Sequence, residues 1–245
     1  MLLKEVKSDI NCGIGMSRTY LCISILLLCC SIAHANQASD NARKDAFTYI
    51  YHHKDVWEGT ESASGIGSTL IATETLRCVL PAIIKALEVQ VLLDAGCGDL
   101  NWIKRIPFDV ACYIGVDIVD ELIKVNTEKY NGDWIKFQCL DITKDELPYA
   151  DLILCRDCLQ HLSFEDIKAA INNFKRSGAK YLLATTYVNL HENIHDIQSG
   201  CFHLVNLMKK PFNFPEPIFS FDELSAEPEM IRWRKRMCVW NLSEI

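Results

Sequence analysis

The chain has 245 residues, 49% of them hydrophobic and 23% charged, and carries a net charge of -7. That balance excludes a disordered chain and supplies enough apolar side chain for one α/β domain with a sizeable core. The acidic total also argues against a non-specific nucleic-acid binder, so no nucleic-acid partner is expected. Arg232, Arg234, Lys235 and Arg236 form a local basic cluster, either a solvated face or a contact for an anionic substrate.

Tyr20 to Ala33 is almost wholly apolar and is preceded by Arg18. Ala33-His34-Ala35 follows with the small-x-small pattern of a signal cleavage site, and Met16 would be a natural start for such a signal. Residues 1–35 therefore read as a signal-like or anchor segment, and 36–245 as the folded domain. Membrane association through the apolar run is expected if it is not cleaved. The 12 cysteines lack the spacing of a disulfide framework, and most lie in apolar, strand-like runs where a free thiol acts as a small hydrophobe. A thiol-rich body suits the cytoplasm, whereas the N-terminus suggests export.

Asp40 can cap a helix running to about Trp57. Gly59 to Ser68, with three glycines, reads by composition as a flexible connector. Thr69 to Leu80 is helical in period, and Pro81 opens a further helical stretch to Leu87. An alternating pattern then begins. Val89 to Asp94 is a first strand, Asp99 to Ile106 a helix, Ala111 to Asp117 a second strand and Val119 to Tyr130 a helix. Trp134 to Leu140 and Asp151 to Cys155 follow as strands. Ser163 caps a helix to about Arg176, with Asp166 completing a capping-box pattern, and Lys180 to Thr186 is a fifth strand. Ile218 to Phe221 and Met237 to Leu242 close the sheet as an antiparallel pair. The expected fold is α/β: a Rossmann-like, doubly wound, mostly parallel sheet with helices on both faces and an antiparallel C-terminal strand pair.

The first strand runs into Asp94-Ala95-Gly96-Cys97-Gly98-Asp99. Gly96 and Gly98 allow a sharp turn and close approach to a ligand. Asp94 ends the strand beside them. Asp117 ends the second strand about 20 residues further on, where a carboxylate can hold ribose hydroxyls. Asn101 stands where a dinucleotide fingerprint requires its third glycine, which argues against an NAD enzyme.

Those residues carry a resemblance. D-A-G-C-G-D with the downstream G-V-D-I is similar to motifs I and II of the class I S-adenosylmethionine-dependent methyltransferases. Ser64 to Ser68 (S-G-x-G-S), Cys155 to Leu162 (C-R-D-C-L-x-H-L) and Pro211 to Pro215 (P-F-N-x-P) resemble a little-characterised bacterial subgroup. The resemblance implies S-adenosyl-L-methionine as cofactor. It places Gly96, Cys97 and Gly98 against the methionine part, with Asp94 nearby. Asp117 would bind the ribose and Ile118 would lie against the adenine. Asp141 and Ile142 would border the adenine's amino edge, and Cys155 and Arg156 would line the transferring methyl. The loop Ser64, Gly65 and Gly67 would offer backbone N–H groups to the cofactor carboxylate. The tetrapeptide common in DNA-base and glutamine methyltransferases is missing, which points to a small-molecule, sugar or lipid acceptor attacked at oxygen or nitrogen. The alternative is a non-catalytic, exported nucleotide-binding protein that keeps the fold.

Asp157 and His161, just after the fourth strand, are the catalytic candidates; His161 is read either as a base or as a helix-packing residue. Tyr187, Phe212 and Asn213 are expected at the acceptor, with Phe202 and Pro211 to Phe214 folding over it as an apolar lid. Cys155 and Cys158 spell C-x-x-C without a second pair, and His191 and His195 lack H-E-x-x-H geometry, so no metal is expected.

Overall fold

The structure is a computed structural model that describes residues 42–57, 61–107, 109–223 and 228–245. The signal-like segment and the Asp40 cap lie outside these residues. Seven strands form one sheet in the order β3-β2-β1-β4-β5-β7-β6. They are β1 (Val91–Ala95), β2 (Cys112–Asp117), β3 (Ile135–Cys139), β4 (Leu152–Cys155), β5 (Tyr181–Tyr187), β6 (Phe219–Asp222) and β7 (Lys235–Asn241). β1 to β5 pair in parallel, whereas β7 runs antiparallel to both β5 and β6. This is the expected mostly parallel sheet with an antiparallel C-terminal pair. The order reverses at β1, so the crevice at the carboxyl ends of β1 and β4 is the topological switch point at which such sheets bind ligands.

The helices are α1 (Ala42–His52), α2 (Glu74–Ala86), α3 (Asp120–Tyr130) and α4 (Phe164–Arg176). Alternation along each strand sends successive side chains to opposite faces. Leu93, Ile153, Leu182 and Trp240 pack with Ile167, Ala170 and Phe174 of α4. Leu92, Leu152, Leu183 and Val239 pack with Leu76, Leu80 and Ile84 of α2 and with Leu122 and Ile123 of α3. Central strands buried on both faces explain the unbroken apolar runs Val91-Leu92-Leu93 and Leu152-Ile153-Leu154. Ser163 caps α4 as expected, its hydroxyl accepting from the Asp166 N–H at 3.1 Å.

Two local expectations change. Asp99 to Ile106 is not a helix; only a short 3-10 turn forms at Ile103–Arg105. Leu100 adopts a left-handed φ of 58°, and the Asp99 carboxylate is bonded outward to Ser62 and Ala63 rather than capping a helix. Pro81 does not open a second helix but lies inside the single helix α2, whose apolar face is buried on both sides of it at Leu80 and Ile83.

Candidate active site

The site is built at the carboxyl edge around the β1 turn. Gly96 and Gly98 have φ values of 80° and 57°, a region that side-chain-bearing residues adopt only with strain. Neither position has space for a Cβ. At Gly98 it would stand 2.2 Å from Ser64 Oγ, and at Gly96 3.0 Å from Cys158 Sγ. The glycine turn is therefore held between the Ser64–Ser68 loop and the residues that follow β4. Gly96 and Cys97 both donate to the Val116 carbonyl, which locks the turn to β2.

Asp117 closes this cradle. Its carboxylate accepts from the Gly98 N–H at 3.2 Å and the Val119 N–H at 3.1 Å. Burial pushes its pKa up in spite of those bonds. A carboxylate has about four acceptor sites, so capacity remains for hydroxyl donors. Asp94 is buried at the end of β1 and accepts from the Tyr113 hydroxyl at 2.7 Å. Burial raises its pKa to about 7. Neither carboxylate forms an ion pair with a cation among the described residues. Cys97 is buried, and burial raises its thiol well above the ordinary value, so it stays protonated and inert.

The Ser64–Ser68 loop is anchored rather than a flexible connector. Asp99 accepts from Ser62 Oγ and the Ala63 N–H, both at 2.8 Å, and the Asn101 amide donates to Glu61 and to the Ser68 carbonyl. Thus Asn101, where the dinucleotide motif would need glycine, ties this loop down. A Cβ at Gly67 would stand 3.0 Å from Asp157 Oδ2, so the loop spans from the glycine turn to Asp157. The Gly65 N–H donates to the Ser62 carbonyl and is not available to a cofactor carboxylate.

At the other end of the crevice lies a buried ionic network. Arg156 donates through Nε to Glu223 at 2.9 Å and pairs through Nη1 with Asp157 at 3.1 Å. Lys235 pairs with Asp157, and faces Glu223 Oε2, which has no hydrogen bond, at 3.3 Å. Burial works against the Asp157 carboxylate, but Arg156 and Lys235 override it and hold its pKa at about 2. Asp157 has a φ of 49° and its N–H donates to Thr185 Oγ1 at 2.9 Å. His161 is beside it. Burial drops the imidazole pKa to about 4. Its Nδ1 lies 3.0 Å from the Cys201 carbonyl oxygen. A carbonyl can only accept, so Nδ1 carries the proton and Nε2 keeps the lone pair. The ring is flanked by Trp57 at 4.6 Å and Phe202 at 5.7 Å. The buried Trp57 Nε1 has no hydrogen-bond partner among the described residues.

Several expected site residues are used elsewhere. Asp141 accepts four hydrogen bonds, two from Thr143 and two from Arg43 of α1. That fills a carboxylate, so it anchors α1 and has no acceptor left for an adenine amino group. Ile142 and Cys155 have their side chains in the core against α4. Cys158, not Cys155, meets the glycine turn. Arg156 points into the ion network, with its guanidinium 5.5 Å from the Trp102 ring. Tyr187 is buried at the end of β5. The lid expectation is also corrected. Phe212 packs edge-on against Phe164 at 5.5 Å and Phe214 against Trp240 at 5.2 Å, so the aromatic face belongs to the core beside α4. Asn213 is a left-handed turn residue, φ 54°, between them. Ile118, expected against the adenine, is partly buried at the rim of the second core cluster.

Sequence reasoning missed Glu223, Thr185, Trp57 and Arg43, and read Lys235 only as one of a basic cluster. Asp99 and Asn101 sat within the motif and could have been singled out as loop anchors. A cavity of about 260 Å³ opens between α3 and the β1 turn, lined by Tyr51, Asp99, Asn101, Asn126 and Tyr130 among others. Neither Asp117 nor Asp157 borders it. Among the described residues no cluster of His, Cys, Asp and Glu has the geometry of a metal site.

Residues 92–179 match the model of a protein family described as a methyltransferase domain. That match covers 88 of the chain's 245 residues. The chain's fold is that of S-adenosylmethionine-dependent methyltransferases. The N-methyltransferase NodS of Bradyrhizobium japonicum WM9 in complex with S-adenosyl-L-homocysteine is 11% identical, with a TM-score of 0.58, over 78% of this chain and 97% of NodS. Magnesium protoporphyrin IX methyltransferase of Synechocystis PCC 6803 with bound S-adenosylmethionine is 15% identical, with a TM-score of 0.53, over 83% of this chain and 98% of that one. No curated protein matches. Those two neighbours hold S-adenosylmethionine or its demethylated product, and the switch-point crevice of this chain offers a tight glycine turn and two carboxylates without a paired cation among the described residues.

Proposed function

We propose that the chain is an S-adenosylmethionine-dependent methyltransferase acting on an oxygen or nitrogen of a small-molecule, sugar or lipid acceptor. The observation that carries this reading is the pair of carboxylates at the glycine turn, Asp94 buried and Asp117 half-buried. Neither has a counter-ion, so the site favours a ligand that brings positive charge and hydroxyl donors. Asp117 would accept from the ribose hydroxyls, and Asp94 would face the cationic methionine end.

When bound, the sulfonium supplies an electrophilic methyl group, and the protein's main task is alignment, which is worth roughly 7–11 kcal/mol. Asp157, held ionised by two cations, is a poor proton acceptor. We assign it to fixing the acceptor side of the crevice. His161 is the better base, because its Nε2 lone pair is free of the Cys201 carbonyl and the ring is neutral at pH 7. Trp57 and Phe202 beside it provide a flat apolar wall for the acceptor and help to exclude water.

Calorimetry of the full chain tests the cofactor reading. Binding of S-adenosylmethionine and of its demethylated product is expected, with no heat for NAD. Heat with NAD alone would overturn it.

A further inference from the structure

The three most exposed large apolar side chains among the described residues are Ile71, Ile194 and Ile231, at 74%, 68% and 62%. All three lie in segments that surmount the carboxyl edge of neighbouring strands. Ile71 precedes Ala72, whose carbonyl faces the Arg156 guanidinium beyond β4 at 3.5 Å. Ile231 accepts from the Arg234 N–H, just before β7. Ile194 follows Asn193, which is bonded to Asn206, and Asn206 in turn to the Leu190 carbonyl just past β5.

Cations lie among them. The exposed Lys209 and Lys210 have their backbone carbonyls on Asn193, and Arg232 extends over the Trp233 ring at 4.8 Å. Exposed Glu74, Glu192 and Asp196 are the acidic neighbours of Ile71 and Ile194 in this rim. The amino edge differs. Its half-exposed large side chains, Trp134 at β3, Tyr149 just before β4, and Ile218 and Phe219 at β6, are spread along the sheet from β3 to β6.

A second observation points the same way. The apolar run Tyr20 to Ala33 ends just before α1 in the sequence. α1 begins at the carboxyl edge, where Arg43 pairs with Asp141 after β3 and Asp166 in the first turn of α4. From Ala35 to Ala42 is seven residues, which span at most about 25 Å when fully extended. An apolar segment held at a membrane therefore limits how far Ala42 can lie from that surface.

We propose that this rim is a membrane-docking surface. It rests the carboxyl edge of the sheet on an anionic bilayer, with the three isoleucines in the headgroup layer and Lys209, Lys210 and Arg232 against lipid phosphates. Apolar burial and attraction to anionic lipid add in such interfacial binding. The mouth of the site then opens toward the lipid, where an amphipathic acceptor would be presented. The docking stands independently of the methyltransferase reading.

The test is hydrogen–deuterium exchange of the full chain with and without vesicles of phosphatidylcholine containing about one third phosphatidylglycerol. Protection on vesicles is expected at 69–73, 190–196 and 229–234, and none at 133–136 or 217–220. The triple variant Ile71→Ser, Ile194→Ser, Ile231→Ser should lose that protection, partition about tenfold less and bind S-adenosylmethionine as the parent does. Bound chain with the three segments unprotected would overturn the proposal, as would failure to bind the vesicles. Absence of S-adenosylmethionine binding in the parent, with the protection pattern present, would instead count against the catalytic reading alone.

Discussion

The two halves of the carboxyl edge treat buried charge in opposite ways. At β1 and β2, the buried Asp94 and the half-buried Asp117 have no paired cation among the described residues, and desolvation raises both pKa values. At β4 and β7, Asp157 and Glu223 are matched by Arg156 and Lys235. Unmatched buried carboxylates cost stability unless something supplies donors or charge, whereas a matched cluster is complete by itself. The first half is arranged for a ligand to finish it. The second is a framework whose charges are matched within the chain.

The largest expected effect breaks the matched half. Arg156→Met leaves Glu223 and Asp157 short of a cation and should lower stability by about 3–5 kcal/mol, measured by urea unfolding. A second test removes the proposed base. His161→Gln should reduce kcat by about 10²–10⁴ while leaving S-adenosylmethionine affinity unchanged. With an imidazole pKa of about 4, the parent's kcat should stay level above pH 5 and fall at lower pH as the ring protonates. Equal losses of kcat and cofactor affinity would instead mark His161 as structural.

The unmatched half is tested through its ligand. Asp117→Ala should weaken S-adenosylmethionine binding by about 1.5–3 kcal/mol in calorimetry; unchanged affinity in a folded variant removes Asp117 from the site. Asp94→Asn sharpens the comparison through pH. Asp94 has a folded pKa of about 7, against an ordinary value near 3.9. Between these values the folded state holds a proton that the unfolded state has lost, so this residue's contribution to stability falls as pH rises through that window. The variant's Tm should therefore decline less between pH 4 and 7 than the parent's. If the two decline in parallel, Asp94 is not the residue that titrates. The smallest effect concerns the segment first read as a lid. Phe212→Ala should cost about 1–2 kcal/mol of stability for a half-buried ring, with KM for the acceptor unchanged.

The sheet was legible because its signals are local. Unbroken apolar runs at β1 and β4, the glycine turn, and the Ser163 cap each depend on a few adjacent residues, and strand boundaries differ from expectation by one or two positions. The same holds for Asp94 and Asp117, whose places follow from where their strands end. Glu223 was not legible, and Lys235 was legible only as one of a basic cluster, not as the partner of Asp157. Glu223 is 67 residues from Arg156 and Lys235 is 78 from Asp157, and no local period marks a residue whose partner is brought in by strand pairing.

By itself the sequence determined the order of elements, the parallel sheet and the position of the glycine turn, since backbone turns and hydrophobic alternation act over a few residues. Only the tertiary structure decided how polar side chains are shared out. Asp141 is taken by Arg43 from 98 residues away, Asp157 by Lys235, and the rings of Phe212 and Phe214 by Phe164 and Trp240. A side chain's hydrogen-bonding capacity and apolar surface can each be used once, and which neighbour uses them is settled by packing at long range.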